Sequence, residues 1–170
     1  MSYEKQKEIY GDGYYDHQME VGQKFQKHCH LVVEEFAGKP VKTYTTKEEQ
    51  YNIGENDANI EIKNDNEWKN TGNLYIEVAE KQRERSGAYY PSGIYRNDKS
   101  IYYLIGDTSV AWLFLKKDLQ RIAETLHQVT IPTSQGLLLK TYKADKICMA
   151  KIIFRSSVDY DIINTAKLPI

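Results

Sequence analysis

Apolar and polar positions follow two rhythms along this chain. Over residues 16–37 the apolar side chains Met19, Phe25, Cys29, Val32, Val33 and Phe36 recur at three- and four-residue steps. That spacing predicts an amphipathic helix, ended by Gly38 and Pro40. Residues 41–45 suit a first strand. Thr45 or Thr46, followed by Glu48 and Glu49, reads as a helix or turn cap. Residues 51–53 read as a further short strand and 54–58 as a turn. The rhythm then becomes two. In 59–64, Ile60 and Ile62 alternate with Glu61 and Lys63; in 73–79, Leu74, Ile76 and Val78 alternate with Tyr75 and Glu77. Period two is the mark of a half-buried strand. A polar turn separates the two segments, which predicts a hairpin with Glu61, Lys63 and Glu77 on one face.

The runs at 101–105 and 110–115 are apolar on both faces and predict strands in a covered sheet. Residues 118–128 predict a helix that gathers Leu119, Ile122, Ala123 and Leu126 on one side. The segments 136–142 and 147–154 read either as two strands or as a helix and a strand. No internal repeat, low-complexity tract or Gly/Pro/Ser-rich linker divides the chain. The order helix, strands, helix therefore predicts one domain over 1–170, with a polar lead-in at 1–13. Its class is α/β (α+β), a mixed central β-sheet flanked by helices.

Composition changes this picture little. The chain has 170 residues, 41% hydrophobic and 28% charged, enough for a core and ordinary for a soluble domain. A net charge of −1 excludes a global electrostatic pull on nucleic acid, so any phosphate-binding surface is local. No apolar run is long enough to span a membrane. The polar N-terminus lacks a signal-peptide core, so the expected location is intracellular, cytoplasmic. Cys29 and Cys148 are expected as reduced thiols.

Two carboxylates and a lysine on one strand face are the ingredients for a divalent metal and a phosphate. Glu61 and Glu77 are the candidate metal-holding pair, with Asp57 and Asp65 close in sequence, and Lys63 is placed to reach the same phosphate. Mg²⁺ or Mn²⁺ is the expected cofactor, and Glu61, Lys63 and Glu77 are the candidate catalytic residues. An alternating charged strand face is also common on ordinary solvated sheets, so the Glu-x-Lys spacing alone carries little. Downstream, 81–99 sets Lys81, Arg83, Arg85, Arg96 and Lys99 against Glu84 and Asp98, with Tyr89, Tyr90 and Tyr95 interleaved. Cations neutralise phosphates and tyrosine faces stack on bases. Arg83, Arg85, Tyr90, Ser92 and Arg96 are therefore the candidate nucleic-acid contacts. A solvated loop with tyrosines packed on the sheet is the competing reading. His28 and His30, two apart on a helix, make a poor chelate. Gly11-Asp12-Gly13 lacks the context of a nucleotide-binding loop. Trp68 falls in the turn of the expected hairpin and Trp112 in a core strand.

The strings EIKND, TGNLYIE and PSGI, followed by IYYLIG, resemble a group of phage and prokaryotic proteins in the PD-(D/E)XK nuclease superfamily. Glu61-Ile62-Lys63 matches the E-x-K element and Asp65 the aspartate after it. Thr71-Gly72-Asn73 matches TGN, Glu77 the glutamate that closes the next strand, and Ser92-Gly93-Ile94 the SGI. The specific motifs lie in 51–106. The resemblance implies a restriction-endonuclease-like core, a metal-dependent endonuclease that hydrolyses DNA, a viral or mobile-element origin and, by analogy, a homodimer. Two positions depart from it. Asn52 stands where the family carries an aspartate after tyrosine, and the first helix offers Gln23 and Gln26, with Glu20 a turn earlier, where a glutamate is usual. The alternatives are a catalytically degenerate protein of the same fold that binds nucleic acid or a partner protein without cutting, and an assembly protein with an incidental charged strand.

Overall fold

A computed structural model describes residues 13–81, 89–125, 128–130, 136–141 and 144–164. The expected first helix is present but broken: α1 spans Tyr14–His28 and α2 spans His30–Ala37, with Cys29 between them. Gly38, at φ 66°, takes the left-handed conformation that closes α2. Thr46 forms a capping box with Glu49 and starts α3, Lys47–Asn52. Residues 51–52 are therefore the end of a helix and not the expected strand. The segment at 41–45 makes only one isolated bridge, Thr43 to Asn56.

The chain then builds β1 (Ile60–Asn64), α4 (Trp68–Thr71), β2 (Leu74–Lys81) and β3 (Tyr89–Pro91), and after a 3-10 turn at Gly93–Tyr95 come β4 (Tyr102–Gly106) and β5 (Val110–Leu115). It continues through α5 (Lys116–Ala123), β6 (Gln128–Thr130), β7 (Gly136–Thr141), α6 (Ala144–Ile147), β8 (Ala150–Phe154) and β9 (Tyr160–Asn164). The unclear C-terminal segments thus resolve into strands β7 and β8 with the short helix α6 between them. Two sheets form. One is five-stranded in the order β1-β4-β5-β8-β9, and the other four-stranded in the order β3-β2-β7-β6. The larger sheet is mixed: β1 runs parallel to β4, and the remaining pairs are antiparallel. This is the expected class, a mixed sheet flanked by helices.

The expected hairpin of 59–64 with 73–79 does not form. β1 pairs with β4 and β2 pairs with β3 and β7, so the two segments belong to different sheets. The polar connection is a helix rather than a turn. Asp65 Oδ1 accepts from the backbone N–H of Glu67 and Trp68, which starts α4, while Oδ2 accepts from Tyr75 N–H and anchors the start of β2. Gly72 ends α4 at φ 71°, and Thr71 and Asn73 exchange hydrogen bonds across it. The TGN string is a helix-to-strand corner. Trp68, at the head of α4, donates to Asp107 and meets Trp112 edge-on at 5.1 Å.

Alternation in the central strands explains why layers cover both faces. In β4 and β5, Leu104, Ala111 and Leu113 point to one side, where Phe25, Cys29, Val32 and Val33 of α1 and α2 meet them. Tyr103, Ile105, Trp112 and Phe114 point to the other, against Leu74, Ile76 and Val78 of β2, Ile94 and Leu119. Each large side chain buried this way contributes about 1.5–3 kcal/mol. No helix among the described residues is long and apolar enough to cross a membrane.

One glycine decides how the 3-10 turn meets β2. Gly93 sits at φ 53°, and a Cβ there would lie 2.0 Å from the Glu77 carbonyl oxygen. Gly93→Ala combines strained backbone with a clash that no side-chain rotation relieves. The expected result is a loss of about 2–4 kcal/mol, near the upper end for single substitutions, read as a lower urea midpoint with unchanged m-value.

Candidate active site at the open edge of the five-stranded sheet

β1 is an edge strand, and side chains take the place of the missing neighbour. Asn56 Oδ1 accepts from Ile60 N–H at 3.2 Å, and its Nδ2 donates to the Ile60 carbonyl at 2.7 Å. Glu55 Oε2 accepts from Ile62 N–H at 3.0 Å and from the Gln26 amide of α1 at 3.3 Å. Capping an edge this way satisfies backbone groups that would otherwise recruit another strand. It also fixes the Glu55 carboxylate beside the two candidate residues of β1.

Those residues, Glu61 and Lys63, lie two apart on the strand and so share a face. Lys63 Nζ is 2.6 Å from Glu61 Oε1 and 3.9 Å from Glu55 Oε1. Glu61 is 4% exposed, whereas the Lys63 side chain is 44% exposed. The Glu61 carboxylate is therefore recessed, and the Lys63 side chain that pairs with it is partly open to solvent. Burial, reinforced by repulsion from Glu61, pushes the Glu55 carboxyl up to about 7. Burial works against the Lys63 charge, but Glu61 and Glu55 outweigh it and hold the ammonium above its ordinary pKa. Arg96, just past the 3-10 turn, is likewise held charged: burial opposes it, and Glu61, Asp98 and Glu77 more than compensate. Lys116 Nζ pins the Arg96 segment by donating to the Arg96 carbonyl and to Asp98, both at 2.8 Å.

Glu77 reaches the same place from the other sheet. Its carboxylate accepts from the buried Ser92 hydroxyl at 2.6 Å. With Lys63, Asn64 and Tyr103 it lines a small cavity of about 170 Å³. The tertiary structure thus brings Glu61, Lys63, Glu77 and Arg96 together through two sheets instead of one hairpin. Lys63, Asn64 and Arg96 also line a larger cleft of about 1080 Å³ between α1 and β1.

Other candidates stand apart from this group. Both Asp65 oxygens are engaged by the backbone N–H groups of α4 and β2. Asp57 accepts from Lys42 N–H and faces Lys39 at 3.5 Å. Ser92 is 1% exposed and spends its hydroxyl on Glu77 rather than presenting it at the surface. Tyr90 lies in β3 opposite Glu80. Arg83 and Arg85, and also His127, fall outside the described residues. Asn52 is exposed at the end of α3, and the acid that stands beside Glu61 is Glu55. Sequence reasoning missed Glu55 because it assigned 54–58 to a turn. The available signal was an acid and an amide just ahead of a strand with no other partner on that side.

Among the described residues no group of three or more His, Cys, Asp or Glu comes together to hold a metal. Mg²⁺ needs only one or two protein carboxylates, with phosphate and water completing its shell. Glu55 and Glu61 meet that requirement. Their mutual repulsion in a recessed site is what a divalent cation relieves, and Glu55 Oε1, beyond hydrogen-bond distance of Lys63, remains a donor. No family model matches the chain, and searches of curated proteins and of solved structures return no match.

The raised Glu55 pKa has a stability consequence. A carboxyl whose folded pKa lies above its unfolded value favours the fold fully below the unfolded pKa, and the benefit is lost as pH rises through the folded pKa. Glu55→Gln keeps an acceptor for Ile62 N–H and removes the charge. The variant should be more stable than the wild type at pH 8 by about 1–3 kcal/mol, at about 1.4 kcal/mol per pKa unit. The two proteins should converge toward pH 5. Urea unfolding at the two pH values checks this, and an advantage that grows on acidification contradicts it.

Proposed function

We propose that this chain is a metal-dependent deoxyribonuclease that hydrolyses DNA phosphodiester bonds. The observation that carries the reading is the recessed Glu55–Glu61 carboxylate pair with Lys63 in contact and Arg96 beside it. Recessed acids of like sign, next to two cations at the wall of a cleft, suit a bound divalent cation and a phosphate better than they suit a structural ion pair. Glu55 and Glu61 would hold Mg²⁺ or Mn²⁺, which supplies neutralisation and polarisation of the phosphate. Arg96 binds a non-bridging phosphate oxygen and orients the diester. Lys63, held charged beside Glu61, positions the attacking water and offsets the negative charge that builds as the new P–O bond forms and the ester oxygen leaves. Glu77 holds Ser92 and adds negative potential that keeps Arg96 in place. The choice of DNA over RNA rests on the sequence resemblance to PD-(D/E)XK nucleases, as does a homodimer.

A second reading has its own observation. With two carboxylates at the centre and one ion-paired at 2.6 Å, the site also suits a nucleic-acid-binding protein that no longer cuts. Plasmid and single-stranded DNA cleavage with Mg²⁺, Mn²⁺ or EDTA separates the readings. The nuclease requires metal-dependent cutting, lowered at least a hundredfold by Glu61→Gln and by Lys63→Ala, on the scale of other charge-stabilising groups (roughly 10²–10³). Folded wild type that cuts neither substrate with either metal rules the nuclease out in favour of the binder.

A further inference from the structure

We infer that the cleft beside β1 takes a single strand of nucleic acid in preference to the intact duplex. The inference rests on the nuclease reading for where the scissile phosphate sits, and it adds the form of the substrate. Glu55, whose side chain is 16% exposed, lines the cleft, and its neighbour Glu61 is 4% exposed, so the acids are recessed and not on a surface ridge. The cleft encloses about 1080 Å³. That is at the upper end of pockets for small ligands, roughly 300–1,000 Å³. It has room for a few nucleotides of one strand. A duplex holds its phosphates on a stiff two-stranded rod, which brings them to a recessed acid less readily than a flexible single strand does.

The walls match one strand chemically. Gln23 and Lys27 of α1, Thr43 and Tyr44 of the 41–45 segment, and Lys63 and Arg96 all line the cleft. Lys42 Nζ lies 5.1 Å from the Tyr44 ring centroid. A cation beside an aromatic face is the pairing that neutralises a backbone while stacking a base. The Gln23 amide in the lining offers a donor and an acceptor to the Watson–Crick edge of an unpaired base, an edge that pairing occupies in a duplex. Among the described residues that line the cleft, Glu55 is the only acid, so the lining favours an anionic polymer.

The test is fluorescence anisotropy in EDTA, so that binding is read without cutting. A labelled oligothymidylate of about twelve nucleotides, within the usual range of single-strand sites, is compared with the same strand in a duplex. The single strand should bind at least tenfold more tightly. Tyr44→Ala and Lys27→Gln, both outside the catalytic group, should each weaken it about five- to tenfold, with thermal unfolding unchanged for at least one of them. Equal or tighter binding of the duplex overturns the inference, as does single-strand binding that ignores both substitutions or is absent altogether. The nuclease reading fails differently. Single-strand binding that depends on Tyr44 and Lys27, with no metal-dependent cutting, leaves this inference standing and removes the nuclease. Cutting confined to duplex, with no single-strand binding, does the reverse.

Discussion

The structure depends on burying both faces of β4 and β5. Leu104, Ala111 and Leu113 on one side, and Tyr103, Ile105, Trp112 and Phe114 on the other, leave no face of these strands for water. A sheet with two apolar faces needs a layer on each. Helices α1 and α2 supply one layer, and β2 with α5 and the 3-10 turn supplies the other. The placement of the candidate site follows from that demand. β1 joins the covered sheet at its edge, so its polar residues fall at the rim of the core, where a charge can be recessed and still reached.

That position sets the electrostatics of the site. A carboxylate in the interior costs too much unless paired, and one in open water is unperturbed. Glu61 is buried but paired with Lys63, and Glu55 is partly open, with Lys63 and Arg96 offsetting the charge of both. The edge strand has a second effect. Because no described strand covers the outer side of β1, Asn56 and Glu55 cap its backbone, and the cap places Glu55 beside Glu61. One edge-protection device therefore also supplies an acid of the candidate site. The buried Asp98–Lys116 pair and the Ser92–Glu77 bond do comparable positioning from outside the cluster.

Much of this was legible along the chain. The α1–α2 periodicity, the capping signal at Thr46 and Glu49, and the two-sided runs of β4 and β5 all predict local structure from local residues, and the structure bears them out. Period two correctly identified β1 and β2 as strands. The same local logic failed where the decision was not local. Alternation says that a segment is a strand, but not which strand it pairs with. EIKND followed by TGN reads equally as a hairpin turn or as a capped helix between two sheets. Asp65 decides the matter by accepting three backbone N–H groups, a role invisible until α4 and the start of β2 are placed.

The sequence by itself determined the class of the domain, most of its elements and the residue types of the site: an acid and a lysine two apart on a strand, a second acid downstream, an arginine beyond it. These are short-range facts, encoded by side-chain spacing against the periods of helix and strand. Only the tertiary structure decided which acids meet. It brought Glu55 to Glu61, turned Asp57 and Asp65 to backbone duties, moved the Asn52 amide out to solvent and delivered Arg96 from a separate turn. The reason is physical: the charge environment of a side chain is set by the layers packed around it, and those layers come from strands and helices far apart in the chain.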